Sequence, residues 1–164
     1  MFNVGDKISH PMHGAGVISQ IVTRKTSGEK KDYYELIIGN GAMTVLIPVE
    51  SAEKIGVRHV VDCDSIEKLF CGLSDIKIEI NSNWNKRYRE NMLKIKSGDL
   101  WEVAGVIKGL VECDRRKSLS TGERKMLRSA KQIVISEIVL VTGITSQQAE
   151  ARIMDALQCC GSAL

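Results

Sequence analysis

The chain has 164 residues and a mass of 18.1 kDa, with 43% hydrophobic and 26% charged side chains. That suffices for one or two small domains with apolar cores, and no run of eighteen apolar residues offers a membrane span. The formal net charge of +3 is unevenly spread: residues 1–80 carry 9 basic and 11 acidic side chains, residues 81–130 carry 12 and 6, and residues 131–164 carry 2 and 3.

The +6 excess of the central segment suits a polyanion partner better than an evenly charged surface would. The opening Met-Phe-Asn-Val-Gly-Asp-Lys lacks the basic region, apolar stretch and cleavage site of a signal peptide, which leads us to expect a cytoplasmic protein. Cys63, Cys71, Cys113, Cys159 and Cys160 are odd in number and include no C-x-x-C, as expected of free thiols in a reducing compartment.

In chain order, residues 1–50 read as β. Stretches at 7–9, 16–23, 33–38 and 43–47 are rich in Val, Ile, Tyr and Thr. Turn chemistry separates them at Pro11-Met12-His13-Gly14, Ser27-Gly28-Glu29 and Gly39-Asn40-Gly41, and Pro48 ends the last strand. Strands this few and short predict a small SH3/Tudor-like β barrel, not a sandwich.

The pattern then turns helical. Asp64 with Glu67 predicts a helix start ahead of Ile66, Leu69 and Phe70. Residues 74–82, where isoleucines alternate with charge, read as an exposed strand or a linker. A helix from Trp84 to about Lys96 follows, then one capped by Asp99 whose apolar stripe includes Leu100, Val103, Ala104, Ile107 and Leu110. Asp114-Arg115-Arg116-Lys117 should close it as a basic loop. Ser120 with Glu123 forms a capping box for the longest helix, which Gly143 should stop; Thr145 with Gln148 starts a last short one. The fold class expected is therefore α+β. Residues 1–72 form the barrel, 73–82 the linker, and 83–164 a compact C-terminal helical domain.

Catalytic chemistry finds little support. His10, His13 and His59 show no metal-ligand spacing, Gly14-Ala15-Gly16 lacks a P-loop context, and Glu112 and Asp114 read as solvated acids. Neither an enzyme nor a bound metal or cofactor is expected. The segment Asn83-Trp84-Asn85-Lys86-Arg87-Tyr88-Arg89 is more informative, because it sets a large apolar ring among three cations. Taken alone, such a tryptophan more often heads a buried helix face. Beside Arg115, Arg116, Lys117, Arg124 and Lys125, and with helix N-termini nearby, double-stranded nucleic acid becomes the better reading. No helix-turn-helix or zinc-finger pattern occurs, so backbone and minor-groove contact is expected rather than major-groove readout. The alternative, from another class, is a protein–protein adaptor whose basic helical domain binds an acidic partner.

The chain also resembles the CarD/CdnL family of bacterial transcription regulators. The resemblance runs through Phe2-x-Val4-Gly5-Asp6, Pro11-x-His13-Gly14, Gly28-Glu29-x-Lys31-x-Tyr33, Thr44-Val45-x-Ile47-Pro48, Asn83-Trp84-x-x-Arg87-Tyr88 and Leu119-Ser120-x-Gly122-Glu123. It implies a barrel that docks on the RNA polymerase β subunit and a helical domain against promoter DNA upstream of the −10 element. Trp84 would insert in the minor groove to stabilise the open complex, with Lys86, Arg87 and Arg89 as phosphate contacts. Arg24 matches a position used against polymerase, and Leu46 stands where some relatives place a second basic contact. A monomer is expected, although an exposed strand edge can pair with a second copy.

Overall fold

The structure is a computed structural model that describes residues 1–39 and 41–158. The Cys159-Cys160 pair lies outside the described residues, as does Asn40 of its turn.

The N-terminal half forms a five-stranded antiparallel sheet: β1 (Lys7–His10), β2 (Gly14–Thr26), β3 (Glu29–Ile38), β4 (Met43–Pro48) and β5 (Arg58–His59), in the order β4-β3-β2-β1-β5. Alternation along β3 turns Tyr34, Leu36 and Ile38 inward, onto Ile8, Ile18 and Ile47. The β2–β3 hairpin closes on Ser27 and Gly28, both at positive φ (52° and 87°), the backbone that a two-residue primed turn needs between twisted strands. A register shift between Ile18 and Gln20 keeps Ile18 buried and bends the long strand. A short α1 (Ala52–Ile55) follows β4.

The rest is helical: α2 (Cys63–Gly72), α3 (Trp84–Lys96), α4 (Leu100–Arg116), α5 (Thr121–Thr142) and α6 (Ser146–Gln158). Their shared core gathers Ile95, Ile107, Leu110, Met126, Ile138 and Ile153, each fully buried aliphatic contributing roughly 1.5–3 kcal/mol.

Two expectations are corrected. The cap of α2 is Asp62, whose side chain accepts from Ser65 N, rather than Asp64. Arg115 and Arg116 are helical, in the last turn of α4, where cations face the negative end of the helix dipole. Ile66, Leu69, Phe70 and Leu73 pack in the helical core and not in that of the sheet. Residues 76–82 form neither helix nor strand. Lys108 Nζ holds the start of this stretch to α4 by donating to the carbonyls of Ser74 and Ile76, at 2.6 Å each.

Candidate nucleic-acid interface

Trp84 is the first residue of α3, which Asn83 caps by accepting from Lys86 N at 3.1 Å. Its indole Nε1 donates to Ser120 Oγ at 3.1 Å, and its ring stacks on Tyr88 with centroids 5.2 Å apart and planes 24° from parallel. Gly122, in the first turn of α5, lies under both rings: a Cβ there would be 3.6 Å from Trp84 and 3.8 Å from Tyr88. The indole is thus held by its polar edge and one side, yet 41% of the residue is exposed. Trp101 is exposed to a similar degree (43%), so exposure alone does not distinguish the two tryptophans. Their neighbours do. Trp101 covers Gly72 and follows Asp99, whereas Trp84 stands where the starts of α3 and α5 meet the end of α4.

That corner collects most of the cations. Lys86 and Arg89 project from α3, Lys117 follows α4, and Arg124 and Lys125 lie in the first turns of α5. All five are exposed, and none makes an ion pair among the described residues. Arg115 and Arg116 share Glu112, at 3.7 and 3.2 Å, but remain exposed, and pairs of this kind hold their cations weakly.

Arg87 is held differently from Lys86 and Arg89. Its guanidinium meets buried Glu123 at 2.6 Å and donates through NH1 to the Asn81 carbonyl at 2.7 Å. A cation so committed is less free to turn toward a phosphate than Lys86 or Arg89. It braces Glu123, whose carboxylate also completes the capping box by accepting from Ser120 N and Oγ. Arg87, Glu123, Ser120 and Trp84 therefore form one chain of contacts from α3 to α5 and back. Ser120, Tyr88 and Gly122 had no assigned part in the sequence reading beyond helix capping and spacing. The capping box was visible there; the indole that would use its hydroxyl, 36 residues away, was not.

Arg24 and Leu46 lie elsewhere, on the sheet. Arg24 sits opposite Lys31 and Lys25 opposite Lys30, two rows of like charge at the end of the β2–β3 hairpin. Gln20, Glu35 and Leu46 form one cross-strand row, with Gln20 donating to Glu35 at 2.6 Å. By alternation that row shares its face with Arg24, away from Tyr34 and Ile47. Leu46 itself is half-buried on β4, at an end of the strand order.

A cleft of about 680 Å³ between β2, β3 and α5 is lined mainly by aliphatic side chains such as Val17, Ile37, Met43, Ile135 and Val139. Its Ser19 and Ser136 hydroxyls already donate to the carbonyls of Glu35 and Ile133. Burial pushes the Cys113 thiol above its usual pKa, against a reactive thiolate. Among the described residues no acid, histidine and cysteine cluster could hold a metal, and no helix is long and apolar enough to cross a membrane.

The chain is thus a sheet-bearing module followed by a helical unit with a cationic, tryptophan-bearing corner. The model for the CarD-like/TRCF RID domain matches residues 2–61, and that for the CarD C-terminal domain matches residues 68–154. A Bacillus subtilis protein, YdeB, described as a candidate transcription factor, is 34% identical over 148 residues, covering 90% of this chain and 97% of that protein. Part of the Helicobacter pylori transcription-repair-coupling factor is 36% identical over 64 residues, 39% of this chain and 6% of that protein. The chain belongs to the CarD family of transcription factors.

Proposed function

We propose that the protein binds the RNA polymerase β subunit through the outward face of its sheet and lays its helical corner on promoter DNA. Trp84 enters the minor groove there and holds the open complex. The observation that carries this reading is the mounting of Trp84: a rigidly seated indole with an open face, beside five exposed cations without ion pairs. Such a ring can fill an unstacked base step that otherwise costs a few kcal/mol, while the cations supply affinity without sequence readout.

The sheet residues Arg24 and Leu46 are the proposed polymerase contacts. Similarity of residues 2–61 to the domain shared with transcription-repair-coupling factors supports that assignment. We place the division of the chain near residue 61, following the cores, and take the sheet to be curled as a Tudor-like barrel. The reading is of a non-enzymatic, cytoplasmic monomer.

Full-length protein carrying Arg24→Glu tests the division of labour. It should bind the isolated β subunit at least about tenfold more weakly, the effect of turning one rim charge against an acidic partner. Its affinity for double-stranded DNA should be unchanged. Equal loss of both activities would contradict the assignment. The adaptor alternative predicts no DNA binding at all, whatever the salt.

A further inference from the structure

Sheet and helices meet at a joint whose central residues touch neither proposed partner surface. Glu137, in the C-terminal third of α5, is fully buried beside Ile133, Val134 and Ile138. Arg58 of β5 grips it with both terminal nitrogens, NH1 to Oε1 at 2.7 Å and NH2 to Oε2 at 3.0 Å, and Val61 N–H donates to Oε1 at 3.0 Å. The same guanidinium donates through Nε to the Gly98 carbonyl at 2.9 Å, in the turn between α3 and α4. One side chain thereby fastens the sheet to α5 and to the end of α3.

Two further contacts surround it. Ala15 N–H of β2 donates to Ser136 Oγ at 2.8 Å, where Gly14 (φ +98°) leaves no room for a side chain: a Cβ would stand 2.4 Å from that oxygen. A Cβ on Gly98 would meet the Gly56 carbonyl at 3.2 Å and Pro11 Cγ at 3.4 Å. Together with the ion pair, these close approaches limit the freedom of one body to turn on the other. A buried ion pair is a poor device for stability alone, since apolar replacements are often no worse, but a bidentate pair with a third donor tolerates few orientations.

The consequence lies along α3. Its C-terminal turn is tied to the joint through Gly98, and its N-terminal residue is Trp84. The thirteen residues of the helix form a strut of roughly 20 Å between the two. We propose that Arg58 and Glu137 are positioning residues: they hold α3 at a set angle to the sheet, so that polymerase anchoring delivers Trp84 to one place on the promoter. This rests on the promoter reading above and adds to it a requirement that neither binding surface contains.

The test uses full-length protein carrying Glu137→Gln or Arg58→Lys, with Ser136→Ala as a milder change to the second contact. Joint integrity is read by amide hydrogen exchange at Val61 and Ala15 and by small-angle scattering. Function is read by separate affinities for the β subunit and double-stranded DNA, and by open-complex lifetime at saturating protein. Faster exchange at the joint and a broader scattering distribution are expected, with both affinities near wild type. The lifetime should fall by about 2- to 30-fold, the range over which residues remote from ligands alter coupling, and should not recover as protein concentration rises.

Recovery at high concentration would mean lost folded protein and would overturn the proposal. So would wild-type lifetime in a variant with a loosened joint, or undisturbed exchange at Val61 without the ion pair. If either variant fails to fold, Ser136→Ala decides by the same criteria. Trp84→Ala run in parallel separates the two claims: if it leaves the lifetime unchanged the promoter reading falls, and the joint is then judged on exchange and scattering.

Discussion

Replacing Trp84 by alanine removes a ring stacked on Tyr88, a hydrogen bond to Ser120 and contact with Gly122. With much of the residue already in solvent, the expected loss of stability is about 1–2 kcal/mol, below the 3–5 of a fully buried large aromatic. Denaturant unfolding should therefore stay cooperative; a loss of cooperativity would make Trp84 a core residue. Arg87 makes a different prediction. Because it is spent on Glu123 and Asn81, Arg87→Ala should weaken DNA binding by disturbing Trp84's seat and leave the log–log salt slope unchanged. Lys86→Ala or Arg89→Ala should each reduce that slope by about one. Titration of double-stranded DNA at graded salt decides, and a unit drop for Arg87→Ala would return it to the phosphate contacts. Sequence could not make this distinction: Arg87, Lys86 and Arg89 look alike in a row, and the acid that removes one of them lies 36 positions away.

Helix ends were legible element by element because their chemistry is local. Asp99 and the Ser120–Glu123 box cap the helices expected of them, and Gly143 adopts the left-handed stop at φ +78°. At α2 the Asp64–Glu67 pattern lies inside the helix, because the cap, Asp62, has Ser65 and not an acid three residues on. The extension of α4 through Arg116 was hidden for a related reason, since a basic run reads as a loop until Glu112 is seen one turn behind it. The turn after β1 carries a prediction of its own. Burial, then the charge of nearby His13, lowers the His10 pKa from 6.5 to about 4, and its Nδ1 accepts from Met12 N–H at 3.1 Å. The unfolded chain thus binds the extra proton more readily. Stability attributable to His10 is full above pH 6.5, falls as pH drops toward 4 and levels off below. The loss should be about 2–3 kcal/mol at most, seen as a falling denaturation midpoint over that window. A flat profile in the wild type would contradict it.

Across the whole molecule, the charge map of the sequence points to residues 81–130 and not to any one corner within them. Core packing sets the starts of α3 and α5 side by side, with the Trp84 indole on Ser120, and composition does not report that arrangement. The joint is less legible still, since Arg58 and Glu137 are 79 residues apart and each resembles an ordinary surface charge until folded. Family resemblance supplied the sheet's expected partner, and the strand register adds that Arg24 and Leu46 share a face. The account then depends on one act, the entry of Trp84 into the opening promoter. Its most direct test is the lifetime of open complexes formed by polymerase with wild-type, Trp84→Ala and Trp101→Ala protein, each at saturation. The account predicts a shortened lifetime for Trp84→Ala alone, with polymerase binding intact. A folded Trp84→Ala protein that prolongs open complexes as well as wild type, or a Trp101→Ala protein that fails equally, would contradict it.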